Sequence, residues 1–340
     1  MKVLILKPSS LGDVIHALPV LRQIKRHRPE AQVYWWIESG LAPLLEGDQD
    51  LAGVVRFYRR RWASPVNWGE LIQSIRWMRA QRFDWVIDLQ CLARSGAFAW
   101  LANGAFTVGL DEPREGARGL YDRIARRASF HTHAVDWYQA VLPLLDVPTT
   151  PDFEWIPRRA EVASGVERRW PEDGRRWVLL QPGARWLTKR WPLDYYREVV
   201  QKAQVRWPDI RFAVMGGAED RDLGRAIVGP GGGGVLDLTA ALTLPEMVEW
   251  IRRCTLMITN DTGPMHVAAA LGKPVIGLFG PTEPRRTGPY GQLHRVLQAQ
   301  TPCIPCLQSR CTYVHPLDCL RSLSPARVLQ ALEHELALSR

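Results

Sequence analysis

Apolar residues along the chain fall into two patterns. Largely apolar runs at 1–6 (MKVLIL), 31–37 (AQVYWWI), 85–89 (WVIDL), 177–181 (WVLLQ), 211–215 (RFAVM), 255–259 (TLMIT) and 275–279 (VIGLF) predict strands buried on both faces, as in a parallel sheet. Shorter runs at 54–57, 108–111 and 236–239 read as further extended pieces. Between the runs, apolar positions recur with helical spacing: Val14, Leu18, Leu21 and Ile24 share one face, 71–81 is amphipathic, and an Ala-rich helix reaches Leu101. Pro19 predicts a slight kink in the first of these helices. Helices follow from Leu193 and over 245–253, and a last one begins after Ser324 with Val328, Leu329, Leu332 and Leu336 on one face. The glycine-interrupted basic segment 112–128 reads as a loop passing into a helix.

This β/α alternation runs twice, and the Pro-rich segment 142–159 separates the two runs. The expected class is α/β, with two doubly wound, Rossmann-like domains at 1–157 and 158–322. The terminal helix at 323–340 is expected to pack back toward the first domain.

The most informative stretch is 260–274, NDTGPMHVAAALGKP, held between two buried runs. Gly263 and Pro264 open a short helix, and Gly272 and Pro274 close it. The backbone amides of Thr262 and Gly263, with the positive end of the helix dipole, make a spot suited to a phosphate or diphosphate. Asp261 stands at the carboxyl end of the preceding strand, where open parallel sheets bind ligands; it is equally readable as a helix cap. Asp13 has the same two readings at the start of the first helix, as a dipole-favouring carboxylate or as a group that accepts a proton.

After the run at 177–181, Arg185, Lys189 and Arg190 crowd the loop before Pro192, an environment for a leaving diphosphate. Glu219 follows Gly216 and Gly217 at another strand tip, where a carboxylate can accept both hydroxyls of a ribose. The neighbouring Asp220 and Asp222 resemble a metal-binding DxD but are better read as helix-start acids. Arg59, Arg60 and Arg61 cluster beside Trp62, and Arg114 lies in the basic segment that could hold an anionic substrate. His131 and His133 have no carboxylate or cysteine nearby and read as polar surface. The glycine-rich loop at 230–234 lacks the Lys-Ser/Thr of a phosphate loop. Cys303, Cys306, Cys311 and Cys319 suggest a structural zinc, on a spacing irregular for a ribbon.

Composition narrows the partners. A net charge of +9 in 340 residues fits an anionic partner. No nucleic-acid fold signature accompanies it, so DNA and RNA are set aside. No uncharged apolar run is long enough to span a bilayer, and Lys7 with the polar residues after it ends the N-terminal apolar run at once. The expected location is the cytoplasm.

Four motifs in this order sharpen the reading: KPSSLGDVIHALP at 7–19, KRWP at 189–192, DTGPMH at 261–266 with AAAL at 268–271, and FGPT at 279–282. Together they resemble the ADP-heptose:lipopolysaccharide heptosyltransferases of glycosyltransferase family nine, across nearly the whole chain. VIDLQ at 86–90, Arg114 with Glu115, and the Arg59–Arg61 cluster look like the heptosyltransferase I branch, which adds the first heptose to Kdo; the Cys-rich tail looks like the heptosyltransferase II branch.

The resemblance implies the two-domain GT-B fold and an inverting, metal-independent transfer of heptose from ADP-heptose to the Kdo/heptose inner core. Asp13 would be the general base. Lys189 and the Thr262 and Gly263 amides would hold the diphosphate, with His266 beside it. Asp261 would orient the heptose, Glu219 would read the ribose and Leu242 would lie against adenine. Arg185 stands where some relatives have a Thr contact to the donor. Arg59, Arg60, Arg61 and Arg114 would meet an anionic glycolipid of the Kdo-lipid A type, at the cytoplasmic surface of the inner membrane. No cofactor is required for the chemistry, and a monomer is expected. A sugar-nucleotide epimerase of similar shape is the other enzyme class compatible with the pattern.

Overall fold

The computed structural model describes residues 1–112, 114–150, 153–229 and 234–338. It divides into two compact units, Met1–Pro157 and Arg158–Arg340.

The first unit runs β1 (Lys2–Leu6), α1 (Leu11–His27), β2 (Gln32–Glu38), β3 (Leu51–Phe57), α2 (Trp68–Ala80), β4 (Trp85–Asp88), α3 (Ala93–Ala102), β5 (Phe106–Leu110), β6 (Arg123–Ala125) and α4 (Ala134–Gln139). Its sheet has the order β3-β2-β1-β4-β5-β6, every pair parallel. The strand order reverses between β1 and β4, so their carboxyl ends border the crevice in which doubly wound sheets bind ligands. Leu4, Leu6, Trp36 and Val86 pack on one face against Met78 of α2 and Phe98, Ala99 and Ala102 of α3. Val14, Leu18, Leu21 and Ile24, the face expected of the first helix, are all buried, and α1 continues through Pro19.

The second unit runs α5 (Ala160–Arg169), β7 (Arg176–Gln181), α6 (Leu193–Arg206), β8 (Ile210–Val214), α7 (Arg221–Val228), β9 (Val235–Asp237), α8 (Leu244–Arg253), β10 (Leu256–Asn260), α9 (Gly263–Ala270), β11 (Val275–Phe279), α10 (Pro284–Thr287), β12 (Val296–Gln298), α11 (Asp318–Arg321) and α12 (Pro325–Leu338). Its order, β12-β11-β10-β7-β8-β9, repeats the topology of the first sheet, again all parallel. The reversal here falls between β7 and β10.

Two expectations need correction. Residues 123–125 form the edge strand β6 rather than a helix; Gly116 (φ 73°) turns the chain and Val108 pairs with Arg123. That strand reads as polar because an edge strand leaves its outer positions in water. His133 is buried rather than surface: its Nδ1 accepts a hydrogen bond from the Val135 amide at 3.2 Å, capping α4, and its ring packs edge-on to His16. Within the second unit, Val328, Leu332 and Leu336 of α12 join the core formed by α6 and the sheet. The short edge strand β12 was not foreseen at all, since its three residues are only half buried. Of the glycine-rich loop expected at 230–234, residues 230–233 lie outside the described residues.

Candidate functional site

In the second unit the donor-type residues gather at the carboxyl edge of the sheet. β10 delivers Asn260 and Asp261 to the topological reversal, and both are buried. Asn260 ties this strand end to the adjacent loop: its Nδ2 donates to the Pro182 carbonyl at 2.7 Å, and its Oδ1 accepts from the Trp191 amide at 3.1 Å. The loop between β7 and α6 is thereby held at both ends. Lys189 rises from it, 4.8 Å from the centre of the Trp186 ring, and its ammonium sits 2.7 Å from Asp261 Oδ2. Thr282 Oγ1 donates to the same carboxylate oxygen at 2.7 Å.

α9 begins directly behind, with Thr262 extended at its N-cap, Gly263 and Pro264 in the first turn, and His266 buried one turn in. Lys189, Asp261, Thr262, Gly263 and His266 are thus one constellation: a cation, an acid and a helix N-terminus at a sheet reversal. Such an arrangement can take a diphosphate, whose oxygens the amides and ammonium would share. Glu219 is exposed beyond the end of β8 and Leu242 half-buried beyond the end of β9, on the same edge. Arg185 is exposed, whereas Arg190 turns back to donate from Nε to the Ala184 carbonyl at 2.8 Å.

Asp220 beside Glu219 is buried, with its carboxylate in the space that a side chain at Gly183 or Gly216 would need. Burial pushes its carboxyl above the usual carboxylate range, against the Gly217 amide and Arg190, which favour the charged form. Its packing role explains the residue without a metal.

In the first unit, Asp13 stands in the first turn of α1. Its Oδ2 accepts from the Ser10 amide at 2.9 Å and from Ser10 Oγ at 2.7 Å. The capping reading of Asp13 is therefore realised. It leaves the chemical reading open, because Oδ1 has a different partner: Tyr138 Oη donates to it at 3.2 Å. Tyr138 in turn accepts from the buried Lys7 Nζ at 2.8 Å, and Lys7 also donates to the Leu89 carbonyl at 2.8 Å. Sequence reading quoted Lys7 as part of a motif and passed over Tyr138, which no local pattern marks.

The four arginines assigned to an acceptor separate. Arg59 lines an open hollow at the carboxyl edge of this sheet, with Ser9, Glu38, Gln90, Arg94 and Glu115 among its walls. Arg60 is exposed. Arg61 is paired with Glu70, and Arg114 Nε lies 3.0 Å from Glu112 Oε1. Arg94, unmarked in the sequence, is the second cation of the hollow.

Cys303, Cys306, Cys311 and Cys319 line another hollow, beside Thr188 and Pro281. The Cys319 thiol is pushed up to about 11 by burial and then by the other three cysteines. Among the described residues, however, no group of three or more His, Cys, Asp or Glu is placed to hold a metal ion, so the zinc expectation gains no geometric support.

Comparison with known proteins bears on both units. The family described as glycosyltransferase family 9 (heptosyltransferase) matches residues 71–315. Lipopolysaccharide heptosyltransferase 1 of Pseudomonas aeruginosa is 32% identical, over 98% of this chain and 97% of that protein. The protein of the same name from Escherichia coli K12 is 26% identical over 88% of this chain and 94% of its own length. Among solved structures, the E. coli heptosyltransferase WaaC with ADP superposes with a TM-score of 0.80 at 25% identity, covering 98% of this chain and 100% of that one. These neighbours share the two-domain α/β architecture expected from the sequence. The chain belongs to glycosyltransferase family 9, the heptosyltransferases.

Proposed function

We propose that this glycosyltransferase moves heptose from ADP-heptose to the Kdo/heptose inner core of lipopolysaccharide, with inversion, in the manner of heptosyltransferase I. The observation that carries the reading is the end-to-end 32% identity to a lipopolysaccharide heptosyltransferase 1. The Lys189–Asp261 pair at the start of α9 gives that likeness a chemical counterpart.

In this reading the acceptor hydroxyl attacks the anomeric carbon opposite the departing ADP, through an oxocarbenium-like transition state. Asp13 takes the hydroxyl proton. Negative charge develops on the leaving diphosphate, where Lys189 and the Thr262 and Gly263 amides act, with His266 alongside. Asp261 turns its acceptor oxygens to the heptose hydroxyls, Arg185 adds positive charge near the diphosphate, and Glu219 and Leu242 attend to the nucleoside end.

The acceptor is read as an anionic glycolipid. Arg59 and Arg94 at the hollow and the exposed Arg60 are its first contacts; Arg61 and Arg114 can exchange their surface glutamates for it, since exposed ion pairs are worth at most about 1 kcal/mol. Among the described residues no helix is long and apolar enough to cross a membrane. Peripheral contact is supported by exposed apolar side chains: Trp68, Ile72 and Trp77 on α2 and Trp100 on α3. Amphipathic rings and cations suit the headgroup region of an anionic leaflet.

The test is mass spectrometry of Kdo2-lipid A after incubation with ADP-heptose. One added heptose is expected; addition only to an acceptor that already carries one would move the assignment to the heptosyltransferase II reaction. Asp13→Ala is expected to stay folded and keep its ADP affinity, with stability lowered by about 0.5–2 kcal/mol for the lost cap of α1, and to lose transfer by about a hundredfold or more, the range of general acid–base catalysis. Full activity in that variant would remove Asp13 from its role.

A further inference from the structure

Tyr138 lies 125 residues from Asp13 in the chain, yet its hydroxyl is bonded to that carboxylate. The direction of the bond follows from Lys7. A charged ammonium can only donate. It gives one proton to the Leu89 carbonyl and one to the Tyr138 oxygen, both at 2.8 Å, and it also lies 4.5 Å from the centre of the Tyr138 ring. The phenol oxygen is thus committed as an acceptor toward Lys7, which leaves its single proton for Asp13 Oδ1 at 3.2 Å. On the other side, Ser10 holds Oδ2 from its amide and its hydroxyl. The carboxylate is gripped at both oxygens, so its plane is fixed.

The electrostatics agree with this geometry. Burial, followed by the charge of Asp13, raises the Tyr138 phenol well above its ordinary range, so it stays a donor at any working pH. Burial lowers the Lys7 ammonium, and the charge of Asp13 is the largest effect opposing that. Asp88, Cys91 and Arg114 also act on Lys7, and Cys91 and Arg127 on Tyr138.

We propose that Tyr138 is a positioning residue of the transfer reaction: oriented by Lys7, its hydroxyl holds the Asp13 carboxylate at the angle from which it receives the acceptor's proton. This rests on the reading of Asp13 as the base. A side chain that merely filled space would do the same work as phenylalanine. A positioning hydroxyl would not, because its loss frees the carboxylate to rotate and withdraws a bond that favours the charged form.

The experiment is steady-state kinetics of full-length Tyr138→Phe, Lys7→Met and the double variant, with Asp13→Asn alongside, on ADP-heptose and Kdo2-lipid A across a pH series. For Tyr138→Phe, kcat is expected to fall by about tenfold or more, with the KM for donor and the melting temperature little changed, and the acidic limb of the kcat profile is expected to move to higher pH. Lys7→Met should give a loss of the same kind, and the double variant should be no worse than the poorer single, as for groups acting in series. Should Lys7→Met fail to fold, the displaced acid limb of Tyr138→Phe decides alone. An inactive Asp13→Asn together with an unchanged kcat and acid limb in Tyr138→Phe overturns the proposal while sparing the base. An active Asp13→Asn removes the base itself, and the proposal with it.

Discussion

At the scale of single residues, buried carboxylates are the most informative groups. Asp220 packs where Gly183 and Gly216 leave room; its Oδ2 accepts the Gly217 amide at 3.2 Å, while Oδ1 is buried without a hydrogen bond and has Arg190 only at 3.9 Å. Its folded-state pKa is therefore raised by burial above the ordinary 3.8. The folded state then holds this proton longer than the unfolded chain. Stability from this group is full below the ordinary carboxylate value and is lost as pH rises through the raised one. Asp220→Asn removes that dependence: between acid and neutral pH the wild type should lose stability relative to the variant, read as the difference in urea midpoints at pH 4 and pH 7. A gap that moves the other way would mean that Asp220 is stabilised as an anion.

At the scale of elements, close approaches set the pairings. Gly109 in β5 has no side chain because the Tyr121 ring occupies its place; a Cβ there would come 2.4 Å from the ring. That ring carries the hydroxyl that donates to Asp88 Oδ2 at 2.8 Å, beside the reversal between β1 and β4. Gly109→Ala should cost about 1–3 kcal/mol by overpacking, measured by chemical denaturation. The loss should shrink in a Tyr121→Leu background, and an equal loss in both backgrounds would point to the strand instead. The same scale shows what the sequence could reveal. Long apolar runs such as 1–6 and 255–259 were legible because strands buried on both faces need no polar position. β6 and β12 were not, since edge strands of three residues carry no such run. The Lys189–Asp261 meeting was foreshadowed by two loops, each following a strand. Tyr138 was invisible because its reason lies in a contact 125 residues away, and Arg94 because a lone arginine at a helix start has no pattern.

At the scale of the whole molecule, one topology occurs twice, and on the proposed function each copy carries its residues at its own strand reversal. If the donor reading holds, excess ADP should slow amide hydrogen exchange most at the ends of β7 and β10 and the start of α9, and least in β2 and β3. Protection centred on the first unit would reverse the assignment of roles. The two sheets exchange no strand, and the boundary after Pro157 falls outside both of them. Recombination at that point would cut no ladder of backbone bonds. On the proposed division of roles, a lineage inherits a new acceptor half beside an unaltered nucleotide half by such an exchange, and laboratory chimeras spliced there offer a direct route to transferases with altered glycan targets.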